Sequence, residues 1–240
     1  MHPSKLLWQE HFGRFDYPDG VMAVPEPVRG TAFFPGGYGL IVDNGALPAF
    51  PHGGTMIVGH DFHSEAGYRE SVARGHENPN LPTWRNLRSV LKQAGISTET
   101  CFFTNFFVGL RKGTATTGPF PGAKSHSFVA HCREFLLRQL EVQQPALILT
   151  LGIQTPYYLA PLSPQLADWG ERRGLKHLDA SGPVKLDVHF PAIPSCSAAV
   201  VALTHPCLRH ASVRHRSYDG LTGAAAELRM LEVAIESVRR

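Results

Sequence analysis

The chain has 240 residues, of which 43% are hydrophobic and 18% charged, with a formal charge of +3. That composition supports a sizeable buried core and excludes a disordered or low-complexity protein. No apolar run approaches the length needed to cross a bilayer, and the opening "MHPSKLLWQEHFGRF" is too interrupted by charge for a signal peptide. Cys101, Cys132, Cys196 and Cys207 form no C-x-x-C pair, which argues against a zinc finger, an iron–sulfur cluster or a disulfide framework. Reduced core thiols in a cytoplasmic, monomeric protein without a cofactor or metal are the expectation.

In chain order, Lys5 to Phe12 reads as a helix, and turn-rich segments such as "FFPGGYG" and "DNGALPAFPHGG" follow as irregular structure or a hairpin. Thr55–Val58 is a short buried strand. "TWRNLRSVLKQAG" is a helix in which Leu87, Val90 and Leu91 share a face, Thr83 serves as N-cap and Gly95 ends it. "CFFTNFFVGL" is a Phe-rich strand, "SFVAHCREFLLRQLEVQQ" an amphipathic helix, and "PALILTLG" a buried strand opening on Gly152. "IQTPYYLAPL" begins another helix, "AAVVALTHP" is the last buried strand, and "TGAAAELRMLEVAIESVRR" closes the chain as a helix. Four apolar strands alternating with helices predict one domain over residues 1–240: a three-layer α/β/α sandwich around a short, mainly parallel four-stranded sheet.

In such a sheet the strand C-termini share one edge, where ligands bind. Asp61, Asn105, Gly152 and His205 all fall at or near strand ends, so four strands bring polar or glycine positions to one crevice. A carboxylate there acts as base or electrostatic stabiliser, an amide reads a planar heterocycle with a donor and an acceptor, and an imidazole stabilises a developing oxyanion. "HPCLRHASVRHR" holds three arginines, three histidines and no acid, a cationic stretch suited to a polyanion. Two other readings fit the same residues. His60, Asp61, His63 and His205 could ligate a metal for hydrolysis, or the crevice could recognise abasic or modified DNA without excising a base.

The ordered set "VGHDFHSEAGY", "LPTWRNL", "FFTNFFVGLR", "ALILTLG" and "THPCLRH" resembles the uracil-DNA glycosylase superfamily over about Thr55 to Arg216. The resemblance implies an enzyme that flips a pyrimidine, uracil or a 5-modified base, out of DNA and hydrolyses its glycosidic bond. An alternative within the family is an antiphage enzyme that removes bulky, for example glucosylated, hydroxymethylcytosine. Asp61 is similar to the family's catalytic aspartate and His205 to the histidine that bonds the pyrimidine O2. Asn105 is similar to the base-reading asparagine, with His60, Phe62, His63 and Tyr68 assigned to the base pocket and Tyr68 or Trp84 expected to stack on the flipped base. Leu208, Arg209, His210, Arg214 and Arg216 occupy the loop that fills the gap in the DNA and meets phosphates, and Thr83 and Ser125 are further phosphate contacts. The sequence departs from the family at His60, where glutamine is usual, at Phe62-His63 in place of Pro-Tyr, and at Cys207 in place of serine. Losing the tyrosine that abuts C5 of uracil implies room for a 5-substituent.

Overall fold

The computed structural model describes residues 2–11, 15–25, 49–171 and 174–239. Helix α1 covers Pro3–His11. The irregular segment expected after it lies, between residues 26 and 48, outside the described residues. Strands β1 (Val21–Met22), β2 (Thr55–Ser64), β3 (Cys101–Arg111), β4 (Leu147–Leu151), β5 (Val184–Phe190) and β6 (Ile193–Leu203) form one sheet in the order β1-β3-β2-β4-β6-β5.

The four inner strands, β3, β2, β4 and β6, are parallel and are the four expected. Two antiparallel edges bring the sheet to six strands. Neither edge had an apolar run to betray it. Strand β1 has two residues, and β5, "VKLDVHF", has exposed positions along its length, as an edge strand needs.

Helices α2 (Glu65–Arg74), α3 (Pro82–Gln93), α4 (His126–Gln143), α5 (Gln154–Leu159), α6 (Leu175–Ala180), α7 (Arg209–Ser212) and α8 (Gly223–Val238) complete the order. Side-chain alternation along the parallel strands divides the core in two. Met56, Val58, Phe102 and Phe106 join Phe128 and Phe135 of α4 on one face. Ile57, Phe103, Leu149 and Val201 join Trp84 and Leu87 of α3 and Met230 and Leu231 of α8 on the other. Every residue of β3 is buried, as a central strand covered on both faces requires. Removing one of these Phe side chains would cost about 3–5 kcal/mol. Helix α3 begins at Pro82, with Leu81 at the N-cap position and no side-chain cap, so Thr83 lies inside the first turn. Proline at the first helical position presets φ and has no N–H in need of a cap, so the helix starts without a capping hydroxyl.

The neighbours of β2 in the sheet, β3 and β4, lie on opposite sides of it, so the chain reverses its direction of strand addition at β2. Pairing of β2 with β4 ends at Val58–Thr150, whereas β2 runs on to Ser64 beside β3, with irregular register around Phe62. Past Val58 one edge of β2 therefore has no strand against it. This is the crevice of an open parallel sheet.

Candidate active site

The extension of β2 carries the first charged group. Asp61 accepts from His60 Nδ1 at 2.6 Å through Oδ2, and from Arg111 Nε and Nη2 at 3.0 Å each through Oδ1 and Oδ2. Arg111 ends β3 and is buried, although as the last letter of "FFVGLR" nothing in its sequence context sets it apart from a surface arginine. Its Nη1 donates to the carbonyls of Thr117 (3.3 Å) and Pro119 (3.0 Å), its Nη2 to that of Gly118 (3.0 Å), and its plane lies 5.3 Å from the centre of Phe120. Burial alone pushes the Asp61 carboxyl up, but hydrogen bonds and charge from His60 and Arg111 outweigh it and hold the group below its ordinary value. At neutral pH Asp61 is thus an anion whose oxygens are already engaged, suited to stabilising positive charge. The His60 ring stands edge-on to Phe107 (5.1 Å) and tilted against Tyr158 (5.9 Å), which fixes the side of Asp61 that it occupies.

The second group rises from β6. His205 caps the short turn Pro206–Leu208, and its Nδ1 accepts from the Cys207 backbone N–H at 3.4 Å, with Cys207 Sγ at 3.0 Å. An accepting Nδ1 leaves the proton on Nε2, which becomes a donor aimed away from the turn. Burial lowers the His205 value, the Asp61 charge raises it and the His60 charge lowers it, with a net shift downward. The imidazole is therefore neutral at pH 7, and it lies close enough to feel the charges on β2. Burial pushes the Cys207 thiol up, which keeps it an S–H donor to Nδ1. Gly152 closes β4 with φ +81°, and a Cβ there would sit 3.2 Å from the Cβ of His205. Any larger residue would be strained twice, by the left-handed backbone and by the imidazole.

Beneath this loop is a buried ion network. Glu227 of α8 is 0% exposed and accepts from the Thr204 backbone N–H at 2.6 Å and from Arg216 Nη1 at 3.2 Å, and it also pairs with Arg209. Arg216 continues to Asp179 at 2.8 Å and to the carbonyl of Ala202 at 2.8 Å. Asn86 of α3 donates to the Pro206 carbonyl at 2.8 Å. Arg216 is therefore not a phosphate contact: its charge is spent inside the protein. Arg209 is half-buried against the same carboxylate. The cationic stretch divides by position, because Arg214 and His210 are exposed while Arg209 and Arg216 hold the loop from below. Leu208, 55% exposed, stands at the tip.

Asn105 pairs in register with Gly59, two residues before Asp61, and is 3% exposed. Among the described residues its side-chain amide makes no hydrogen bond, while its backbone carbonyl accepts from Thr104 Oγ1 at 3.5 Å. An amide not engaged by the protein keeps both its donor and its acceptor for a ligand.

The other pocket candidates separate. Phe62 and Tyr68 are core residues on the α4 side, and Trp84 packs edge-on to Phe103 at 5.2 Å in the opposite core, so none presents a face to a base. Burying these large rings against the sheet takes away the open face that stacking on a flipped base requires. His63 is exposed; it shares a 3.3 Å contact with Ser64 Oγ, and its ring covers Gly67. Ser64 caps α2, and Glu65 is tied to Arg69 and to the Gly113 N–H. Thr83 lies in the first turn of α3, and Ser125 caps α4 through a bond from Phe128 N at 3.3 Å, so both stand at helix N-termini, where anions are favoured. Among the described residues no group of three or more His, Cys, Asp or Glu side chains is arranged to hold a metal ion, and no helix is long and apolar enough to cross a membrane.

No curated protein matches the chain. A family model does match, that of the uracil DNA glycosylase superfamily, over residues 58–220. This span takes in Asp61, Arg111, Gly152 and His205 and stops just after Arg216. Covering well over half of the sequence and the whole crevice, it identifies the chain as a member of the uracil DNA glycosylase superfamily, a family of DNA-directed base-excising hydrolases.

Proposed function

We propose that the protein is a DNA glycosylase that extrudes a pyrimidine nucleotide into the crevice and hydrolyses its N-glycosidic bond. The observation that carries this reading is the Asn105 amide, which makes no hydrogen bond among the described residues and stands on β3 opposite Gly59, two residues before Asp61. An amide offers a donor and an acceptor side by side, which matches the edge of uracil or cytosine according to how it is turned. Flipping removes the base from the stack at a cost of a few kcal/mol, which contacts in the pocket and the Leu208 loop must offset.

The chemistry follows from the two charge positions. As the C1′–N bond lengthens, positive charge grows on the sugar and negative charge on the base. Asp61 supplies a fixed anion for the first, and His205 Nε2–H donates to the pyrimidine O2 for the second. Water then adds to C1′ and its proton neutralises the departing base, so an abasic sugar and free base result. The side chains assigned to the crevice include no lysine amine to attack C1′, which favours a monofunctional enzyme.

Specificity is read from the family's missing tyrosine. Phe62 and Tyr68 are buried away from the base, and only His63 is exposed in this stretch. Neither ring then stands against C5, and we extend the proposal to 5-substituted pyrimidines, including the hypermodified cytosines found in phage DNA. Ser64 and Glu65 are committed to the α2 cap and to Arg69 and Gly113, so His63 alone would reach a hydroxyl on such a group. The test is release of free base from oligonucleotides bearing uracil, thymine, cytosine, 5-hydroxymethylcytosine or its glucosylated form in one sequence context. Excision of at least one of them supports the glycosylase reading. Efficient excision of uracil with none from any 5-substituted base would remove that extension and leave the rest.

A further inference from the structure

We propose that Arg111 is the positioning residue of the site, a clamp that locks the Asp61 carboxylate and the 112–120 loop into one unit. The inference rests on the glycosylase reading for its catalytic consequence but not for its geometry. A guanidinium has five N–H donors in a rigid fork, and Arg111 spends every one. Nε and one Nη2 donor go to the two oxygens of Asp61, the other Nη2 donor goes to Gly118, and both Nη1 donors go to Thr117 and Pro119. The two oxygens of Asp61 are thereby held in the plane of the guanidinium, and the carboxylate cannot rotate about its last bond without breaking two charge-assisted hydrogen bonds.

The loop is fixed at its other end as well. The Gly113 N–H donates to Glu65, its carbonyl accepts from Ala66 N at 3.1 Å, and Phe120 lies under the guanidinium. The loop therefore reports its own position to Asp61 through one side chain. Lysine cannot reproduce this, because an ammonium is a point charge with three donors and no fork. The effect of Arg111 on catalysis is thus routed through Asp61 and depends on the shape of the guanidinium as well as on its charge.

The experiment compares Arg111→Lys and Arg111→Met with the wild type in two readouts. The first is carbon NMR of the Asp61 carboxyl in 13C-labelled protein, which needs no activity. Wild-type Asp61 titrates below the ordinary range, and Arg111→Met raises it by about 1–3 units, the size expected for losing an adjacent arginine. The second is single-turnover base release in a double-mutant cycle with Asp61→Asn. Arg111→Lys loses at least about tenfold and is not rescued by its charge, while adding Arg111→Met to Asp61→Asn costs little further, because residues acting as a unit are not additive. Thermal unfolding of each variant identifies any that fails to fold, and Arg111→Lys, which keeps the buried charge, serves as the second variant in that case. An Asp61 titration unmoved in folded Arg111→Met, or losses that simply multiply in the double variant, would overturn the clamp. Wild-type protein that releases no base from any substrate would instead count against the glycosylase reading, with the NMR titration still deciding the clamp.

Discussion

Glu227 offers the sharpest test of how the His205 loop is held. Replacing it with alanine removes the acceptor of the Thr204 N–H at 2.6 Å, leaves Arg216 with Asp179 as its one carboxylate, and leaves Arg209 without its carboxylate. Breaking a buried ion pair from one side costs about 3–5 kcal/mol, because a desolvated charge is left uncompensated. The orphaned backbone N–H adds about 1–3 kcal/mol. The two contributions overlap, since both arise at one carboxylate, so the expected loss lies near the upper end of the first range. For a chain of this size each kcal/mol shifts Tm by about 2–4 °C, giving a fall of roughly 8–20 °C. Urea unfolding and calorimetry of Glu227→Ala measure it directly. Glu227→Gln should lie between, since its amide oxygen still accepts from Thr204. Single-turnover base release at a temperature where the variant is folded should also fall, because Thr204 immediately precedes His205. A folded Glu227→Ala with wild-type stability would refute the idea that this carboxylate anchors the loop.

The remaining expectations concern charge, pH and backbone. Arg214→Ala should reduce the slope of log K against log salt by about one unit and leave stability unchanged, whereas Arg216→Ala should destabilise the fold without altering that slope; equal salt slopes for Arg214→Ala and the wild type would return Arg214 to ordinary solvated surface. Because His205 is held below its ordinary value, the unfolded chain binds more protons between the two values, so stability is lost as pH falls from about 6.5 toward the folded value and is unaffected above it. His205→Asn should flatten that part of a pH–Tm curve. Gly152→Ala should cost about 1–2 kcal/mol for the left-handed backbone, and its Cβ should displace the imidazole enough to slow base release at unchanged DNA affinity.

The parallel strands were legible because a strand buried on both faces reads as a continuous apolar run, as "CFFTNFFVGL" and "ALILTL" do. The edges were not, since β5 is polar along its outer side and β1 is too short to show a period. His205 follows the end of β6 as its strand predicts. Asp61 and Asn105 instead lie inside β2 and β3, which run on to Ser64 and Arg111, because strand ends set by pairing rather than by apolar character do not show in the sequence. Arg111 was not legible, because its role depends on a bulged register that brings the end of β3 beside β2 and on carbonyls from a loop with no pattern of its own. The arginines of "HPCLRHASVRHR" were misread in part for a related reason. Sequence gives the sign of a charge but not its burial, and the acids that neutralise Arg209 and Arg216, Asp179 and Glu227, lie outside the stretch on either side of it.

The central claim is that Asp61 and His205 divide the charge of a breaking glycosidic bond between them. Single-turnover release of free base by the wild type, Asp61→Asn and His205→Ala, on the best substrate of the oligonucleotide series, tests it most directly. A positioned group of either kind is worth about a hundredfold or more, so each variant should slow release by at least that factor while binding the same DNA with near wild-type affinity. Base release at the wild-type rate by both variants would contradict the account.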